Sequence, residues 1–188
     1  MKNIVLIGFM GTGKTSTGKT LANRLGFSFL DLDEAIETAA GKTIPQIFEQ
    51  YGEAGFRARE QEAVKKAAER RNTVIATGGG VVKNTENMAA LRAHGVVVCL
   101  TADVDTILSR TAARGQRPVL DGRDAGDRRA AIEALMQERA QLYQGADYTV
   151  DTSEWSPLLV VDDIVKYLRG RGLLHERASD GRTAHRAR

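Results

Sequence analysis

Gly8-Phe9-Met10-Gly11-Thr12-Gly13-Lys14-Thr15 is the stretch whose reading decides the fold. It fits a glycine, four residues, Gly-Lys, then Ser or Thr, the pattern of a loop that cradles phosphate. Lys2-Asn3-Ile4-Val5-Leu6-Ile7 precedes it as a run of strand length, and Ser16 to Leu25 follows with Leu21, Ala22 and Leu25 at helical spacing. Strand, glycine loop and helix start form the context in which such a pattern is a site. Glycine lets the backbone curl tightly, so that successive N–H groups converge on phosphate oxygens. The helix N-terminus adds partial positive charge, Lys14 is placed to reach the outer phosphates, and the Thr15 hydroxyl suits Mg²⁺. A second match, Gly13 to Thr20, overlaps the first, but only the first has a strand directly before it. Lys14 is therefore the working lysine and Lys19 a solvated helix residue.

Outward from this loop, apolar runs and helical patterns alternate. Strands are expected at Phe27–Asp31, Asn72–Thr77, Val96–Leu100 and Asp147–Asp151. Helices are expected at Asp33–Ala40, Ile44–Arg70 with a break near Gly52 and Gly55, Asn84–Ala93, Asp103–Ala113, Arg128–Tyr143 and Pro157–Leu168. Alternation of this kind predicts a three-layer α/β/α sandwich around a five-stranded parallel sheet. On such sheets ligands bind at the carboxyl ends of the strands. That edge gathers Gly8 to Thr15, Asp31, Gly78 to Gly80 and the residues after Leu100.

The 188 residues suit one domain, residues 1–170, followed by a basic and disordered tail, 171–188. The net charge of +3 is matched by the tail alone, where five arginines face Glu176 and Asp180. The folded part is formally neutral, which argues against a nucleic-acid partner. No run is long enough to span a membrane, no signal-type segment opens the chain, and the lone Cys99 excludes a disulfide framework. The expected location is the cytoplasm.

Five further groups can carry chemistry. Asp31-Leu32-Asp33 sets two carboxylates on one side of an extended segment, one near Mg²⁺ and the other able to accept a hydroxyl proton; otherwise Asp33 caps the next helix. Arg57 and Glu60 share a helix face, and the arginine can hold a carboxylate or form a surface ion pair. Gly78-Gly79-Gly80 offers bare N–H groups and close approach after a strand. Arg114 to Asp127 is polar and aperiodic, and suits a mobile lid, about 112–127, that brings Arg117 to a phosphate. Glu138-Arg139 lies on the helix beyond it.

This ordered set resembles shikimate kinase, the small phosphate-loop family that phosphorylates shikimate from ATP. The carrying residues are Gly8 to Thr15 with Ser16-Thr17-Gly18, then Phe29 to Asp33, Phe56-Arg57 and Glu60, Gly78 to Gly80, Arg117-Pro118, and Glu138-Arg139 with Leu142-Tyr143. The resemblance implies ATP and shikimate as small-molecule partners, Mg²⁺ as cofactor, a monomer, and neither nucleic acid nor membrane. It implies that Gly11, Thr12, Gly13, Lys14, Thr15 and Ser16 hold ATP with Arg110, Arg117 and Trp155. Asp33, Arg57, Gly79 and Arg139 would hold shikimate, and Lys14, Asp33 and Arg117 would be catalytic. Thr15 would bind Mg²⁺ directly, and Asp31 through water. Val119 stands where the family has leucine, and Trp155 where some members have arginine, so Trp155 stacks on the base or packs nearby. Rival readings are a gluconate-type kinase, since the acid and arginine set suits a polyhydroxy carboxylate without being unique to one, and a nucleotide switch, for which neither Asn-Lys-x-Asp nor Asp-x-x-Gly is present.

Overall fold

The computed structural model describes residues 2–112 and 125–174. Its five strands, β1 (Asn3–Gly8), β2 (Ser28–Asp31), β3 (Thr73–Ala76), β4 (Gly95–Thr101) and β5 (Tyr148–Asp151), form one parallel sheet in the order β2-β3-β1-β4-β5. Seven helices flank it among the described residues: α1 (Lys14–Leu25), α2 (Leu32–Ala40), α3 (Ile44–Ala68), α4 (Thr85–His94), α5 (Val104–Ala112), α6 (Ala125–Tyr143) and α7 (Pro157–Gly170). The three layers follow from strands that are apolar on both faces. Along β1, Ile4 and Leu6 enter a core with α1 and α7 through Leu21, Val161, Ile164 and Leu168. Val5 and Ile7 point the other way, toward Val64 of α3 and Leu91 of α4. Burying apolar area on both sides is the main force holding such a sheet. Cys99 belongs to this second core, where burial pushes its thiol up to about 11.

Register sets the functional edge. Gly8 pairs with Leu100, Asp31 with Ala76 and Thr101 with Asp151, so the carboxyl ends of all five strands lie side by side. Gly8 begins the phosphate loop where only glycine fits, since a Cβ there would lie 2.2 Å from the Leu100 carbonyl oxygen. Gly13, at φ 89°, turns the chain into α1 in a left-handed conformation that a side chain would strain.

Local signals place the helices with three departures from expectation. The break in α3 is confined to Gly52 (φ 67°, ψ −175°), while Gly55 stays helical. Gly95 ends α4 in extended backbone and starts β4 rather than adopting a left-handed cap. At the start of α2 it is Asp31 that caps, its carboxylate accepting from Asp33 N–H at 3.0 Å. Asp33 is thus in the first helical turn, and the two acids do not share a side of an extended segment. An N-cap carboxylate satisfies a free donor at a helix start and favours the chain turning helical there. After α7 the chain continues to Leu173 and Leu174, which pack on the α1–α7 core.

Candidate active site

The edge carries two adjoining halves, one built by the phosphate loop and one by the three glycines after β3. In the first, Lys14 donates to the carbonyls of Gly8 (2.9 Å) and Phe9 (2.8 Å), so its ammonium lies back over the loop. Thr15 donates from Oγ1 to Asp31 Oδ2 at 2.8 Å. This couples the first turn of α1 to the end of β2, and it gives Asp31 two tasks: one oxygen caps α2 and the other meets Thr15. A hydroxyl beside a carboxylate is a hard-oxygen donor pair of the kind Mg²⁺ accepts alongside phosphate and water.

Beside the loop lies a cleft of about 200 Å³ lined by Gly11, Gly13, Ser16, Arg110, Thr152, Trp155 and Pro157. Arg110, in the last turn of α5, spans it and donates to Thr152 Oγ1 (2.9 Å) and the Thr152 carbonyl (2.6 Å). Trp155 is half-exposed at the rim. The cleft joins the loop at Gly11 and Thr12, a position that suits a base attached to the phosphates.

In the second half each glycine accepts one side chain. A Cβ on Gly78 would lie 2.6 Å from Asp33 Oδ1, one on Gly79 would lie 3.3 Å from Arg139 Nη1, and one on Gly80 would lie 2.7 Å from Arg57 Nη1. Arg139 also donates to the Gly79 carbonyl at 3.1 Å and rests over the Phe9 ring. None of the three glycines has positive φ, so close approach rather than backbone freedom is what requires them. The Gly79 Cβ position is also 4.0 Å from Gly8 O and Met10 N, which puts this half directly against the phosphate loop.

Arg57 is not the surface ion pair that spacing alone allowed. Its Nη1 donates to both carboxylate oxygens of Glu60 (3.1 and 3.0 Å), and its Nε and Nη2 donate to Glu53 at 3.3 Å. The Glu60 side chain is 3% exposed, and burial raises its pKa against the lowering pull of Arg57. A buried carboxylate thus fixes the guanidinium over Gly80, while the exposed Glu53 holds its Nε and Nη2 edge from the solvent side. On α6, Glu138 is exposed and pairs with Lys83 at 2.7 Å, whereas Arg139 turns inward. The phenol of Tyr143, one turn later, is raised by burial.

Two cations and a carboxylate therefore converge on bare backbone next to a loop made for phosphate. That arrangement fits a small, hydroxylated carboxylate as acceptor. A family model described as shikimate kinase matches residues 10–169. The chain belongs to the shikimate kinase family. It is accordingly an ATP-dependent kinase acting on shikimate. A shikimate kinase of Thermodesulfovibrio yellowstonii is 45% identical over 183 residues, which are 97% of this chain and 100% of that one. The solved shikimate kinase of Acinetobacter baumannii in complex with shikimate superposes with a TM-score of 0.85 at 36% identity, over 93% of this chain and 96% of that one. The shikimate kinase of Aquifex aeolicus superposes at 0.78 with 37% identity, over 91% and 98%.

Of the residues expected from sequence, the structure places Gly11 to Ser16, Arg110 and Trp155 around the first half, and Asp33, Arg57, Gly79 and Arg139 around the second. Arg117 and most of the lid expected at 112–127 lie outside the described residues, as does the tail from 175 onward. Thr152 was not among the expected site residues, although its neighbour in the same stretch, Trp155, was. The signal for it was its place one residue beyond β5, on the edge where ligands bind.

Proposed function

We propose that this kinase transfers the γ-phosphoryl group of ATP to the 3-hydroxyl of shikimate, with Mg²⁺, as a cytoplasmic monomer. The observation that carries the reading is the seating of Asp33, Arg139 and Arg57 on Gly78, Gly79 and Gly80, with Gly79 against the phosphate loop. In this reading Arg57 and Arg139 hold the substrate carboxylate, Gly79 donates from its backbone, and Asp33 takes the ring hydroxyls. Both halves come from one chain, which supports a monomer. None of the helices among the described residues is long and apolar enough to cross a membrane.

The acceptor hydroxyl gives its proton to Asp33 as its oxygen bonds to phosphorus, and the bond from phosphorus to the ADP oxygen breaks. Such transfers rest chiefly on positioning and on stabilising charge over the equatorial oxygens. Lys14 and Arg117 supply that charge. Arg110 and Trp155 hold the adenine. Thr15 would hold Mg²⁺ directly and Asp31 through water, and the ion neutralises phosphate charge when bound. The test is a coupled assay of ADP release with ATP, Mg²⁺ and, in turn, shikimate, gluconate and nucleoside monophosphates. Shikimate should be the one efficient acceptor, and Lys14→Ala should lower its turnover by a factor on the order of 10² or more. Gluconate turning over at a comparable kcat/KM would overturn the assignment.

A further inference from the structure

We propose that Thr152 is a positioning residue of the nucleotide site, acting through Arg110. The residue is 3% exposed, and its hydroxyl meets three groups from distant parts of the chain. Oγ1 lies 3.0 Å from the carbonyl oxygen of Thr12 in the phosphate loop and 2.9 Å from that of Thr101 at the end of β4. It accepts from Arg110 Nη1 at 2.9 Å, while the Thr152 carbonyl accepts from Arg110 Nη2 at 2.6 Å. A hydroxyl has one proton and two lone pairs, so the two carbonyls share the proton and Arg110 occupies a lone pair.

The consequence is a guanidinium gripped along one edge by a single residue. Nη1 also reaches toward the Gly11 carbonyl at 3.4 Å, so the same arginine touches the loop that Thr152 ties from below. A long arginine side chain has several free torsions, and these two bonds fix the plane it presents to the cleft. Thr152 itself is fixed by its backbone N–H, which donates to Thr101 O at 2.8 Å as the ladder of β4 and β5 runs out. The sheet thereby dictates where Arg110 sits. A hydroxyl is needed for this, because a methyl in its place takes the acceptor from Arg110 Nη1 and the donor from the Thr12 carbonyl, while Thr101 O keeps the Thr152 N–H.

The inference rests on Arg110 facing the adenine, and the experiment separates the two claims. KM and kcat for ATP and for shikimate are measured in wild type, Thr152→Val, Thr152→Ser, Arg110→Ala and the double variant Arg110→Ala/Thr152→Val. Thermal midpoints are recorded for each. Thr152→Val should raise KM for ATP by a factor on the order of 10 with little change in KM for shikimate, and Thr152→Ser should restore it. In the Arg110→Ala background the valine should add less than about twofold, since the group it acts through is gone. An effect of Thr152→Val that persists undiminished without Arg110, or that moves both KM values together, overturns the positioning role. Should Thr152→Val not fold, Thr152→Ala makes the same comparison against Thr152→Ser. If Arg110→Ala leaves KM for ATP unchanged, the adenine assignment itself falls.

Discussion

Glu60 is the residue on which the acceptor half turns. It is buried and holds both oxygens on Arg57, yet burial still raises its pKa from 4.5. The cost of desolvating a carboxylate is only partly offset here by one guanidinium, and leaving either partner alone would strand a charge. Because the native value is raised, the folded protein keeps a proton that the unfolded chain has released between 4.5 and that higher value. Stability therefore falls as pH rises through this interval, and the loss is complete above it. Glu60→Gln removes the titration. Thermal midpoints of wild type and Glu60→Gln, taken from about pH 4 to about pH 7, should shift relative to each other in favour of the variant as pH rises. Parallel curves would show that Glu60 titrates at its ordinary value.

At the scale of elements, the turn after β3 and the packing of α1 both depend on absent side chains, and they fail differently. A Cβ on Gly80 meets the tip of Arg57, a flexible side chain that can swing aside. Gly80→Ala should keep its melting temperature within a few degrees while KM for shikimate rises by a factor on the order of 10 to 100, the scale of a small misplacement at a site. Unchanged shikimate kinetics would mean that the seat on Gly80 does not matter. Gly18 on α1 is different, because a Cβ there would lie 2.5 Å from Phe29 Cε2 and 3.2 Å from Leu6 Cδ1. Alanine gains about 1 kcal/mol of helix propensity, but over-packing a core costs about 1–3 kcal/mol. The collision wins. Gly18→Ala should therefore lower the melting temperature by a few degrees with the kinetic constants nearly unchanged, and a rise in stability would contradict the packing.

Across the whole molecule, what could be read from the chain was what repeats along it. Apolar strands alternating with helical periods gave the parallel sheet, and the loop before α1 gave the phosphate site. The carboxyl-edge rule then collected Gly78 to Gly80 and Asp31 beside it. Contacts between distant segments were not legible. Nothing in Asp31-Leu32-Asp33 says that the first acid caps while the second rests on Gly78. Thr152 reaches Thr12 across 140 positions, a distance no local pattern encodes. Burial of Glu60 likewise depends on packing around α3, since its sequence neighbours are those of any exposed ion pair.

The central claim is that Arg57 and Arg139, fixed over Gly80 and Gly79, choose a carboxylate-bearing acceptor for the phosphate loop beside them. The direct measurement is kcat/KM for shikimate against shikimate methyl ester, in wild type and in Arg57→Ala. Wild type should prefer the free acid by a factor on the order of 10² or more, as sites built to pair a charged group reject analogues lacking it. In Arg57→Ala that preference should shrink at least about tenfold, through loss of the acid rather than gain of the ester. A preference in Arg57→Ala as large as that of wild type would contradict the account.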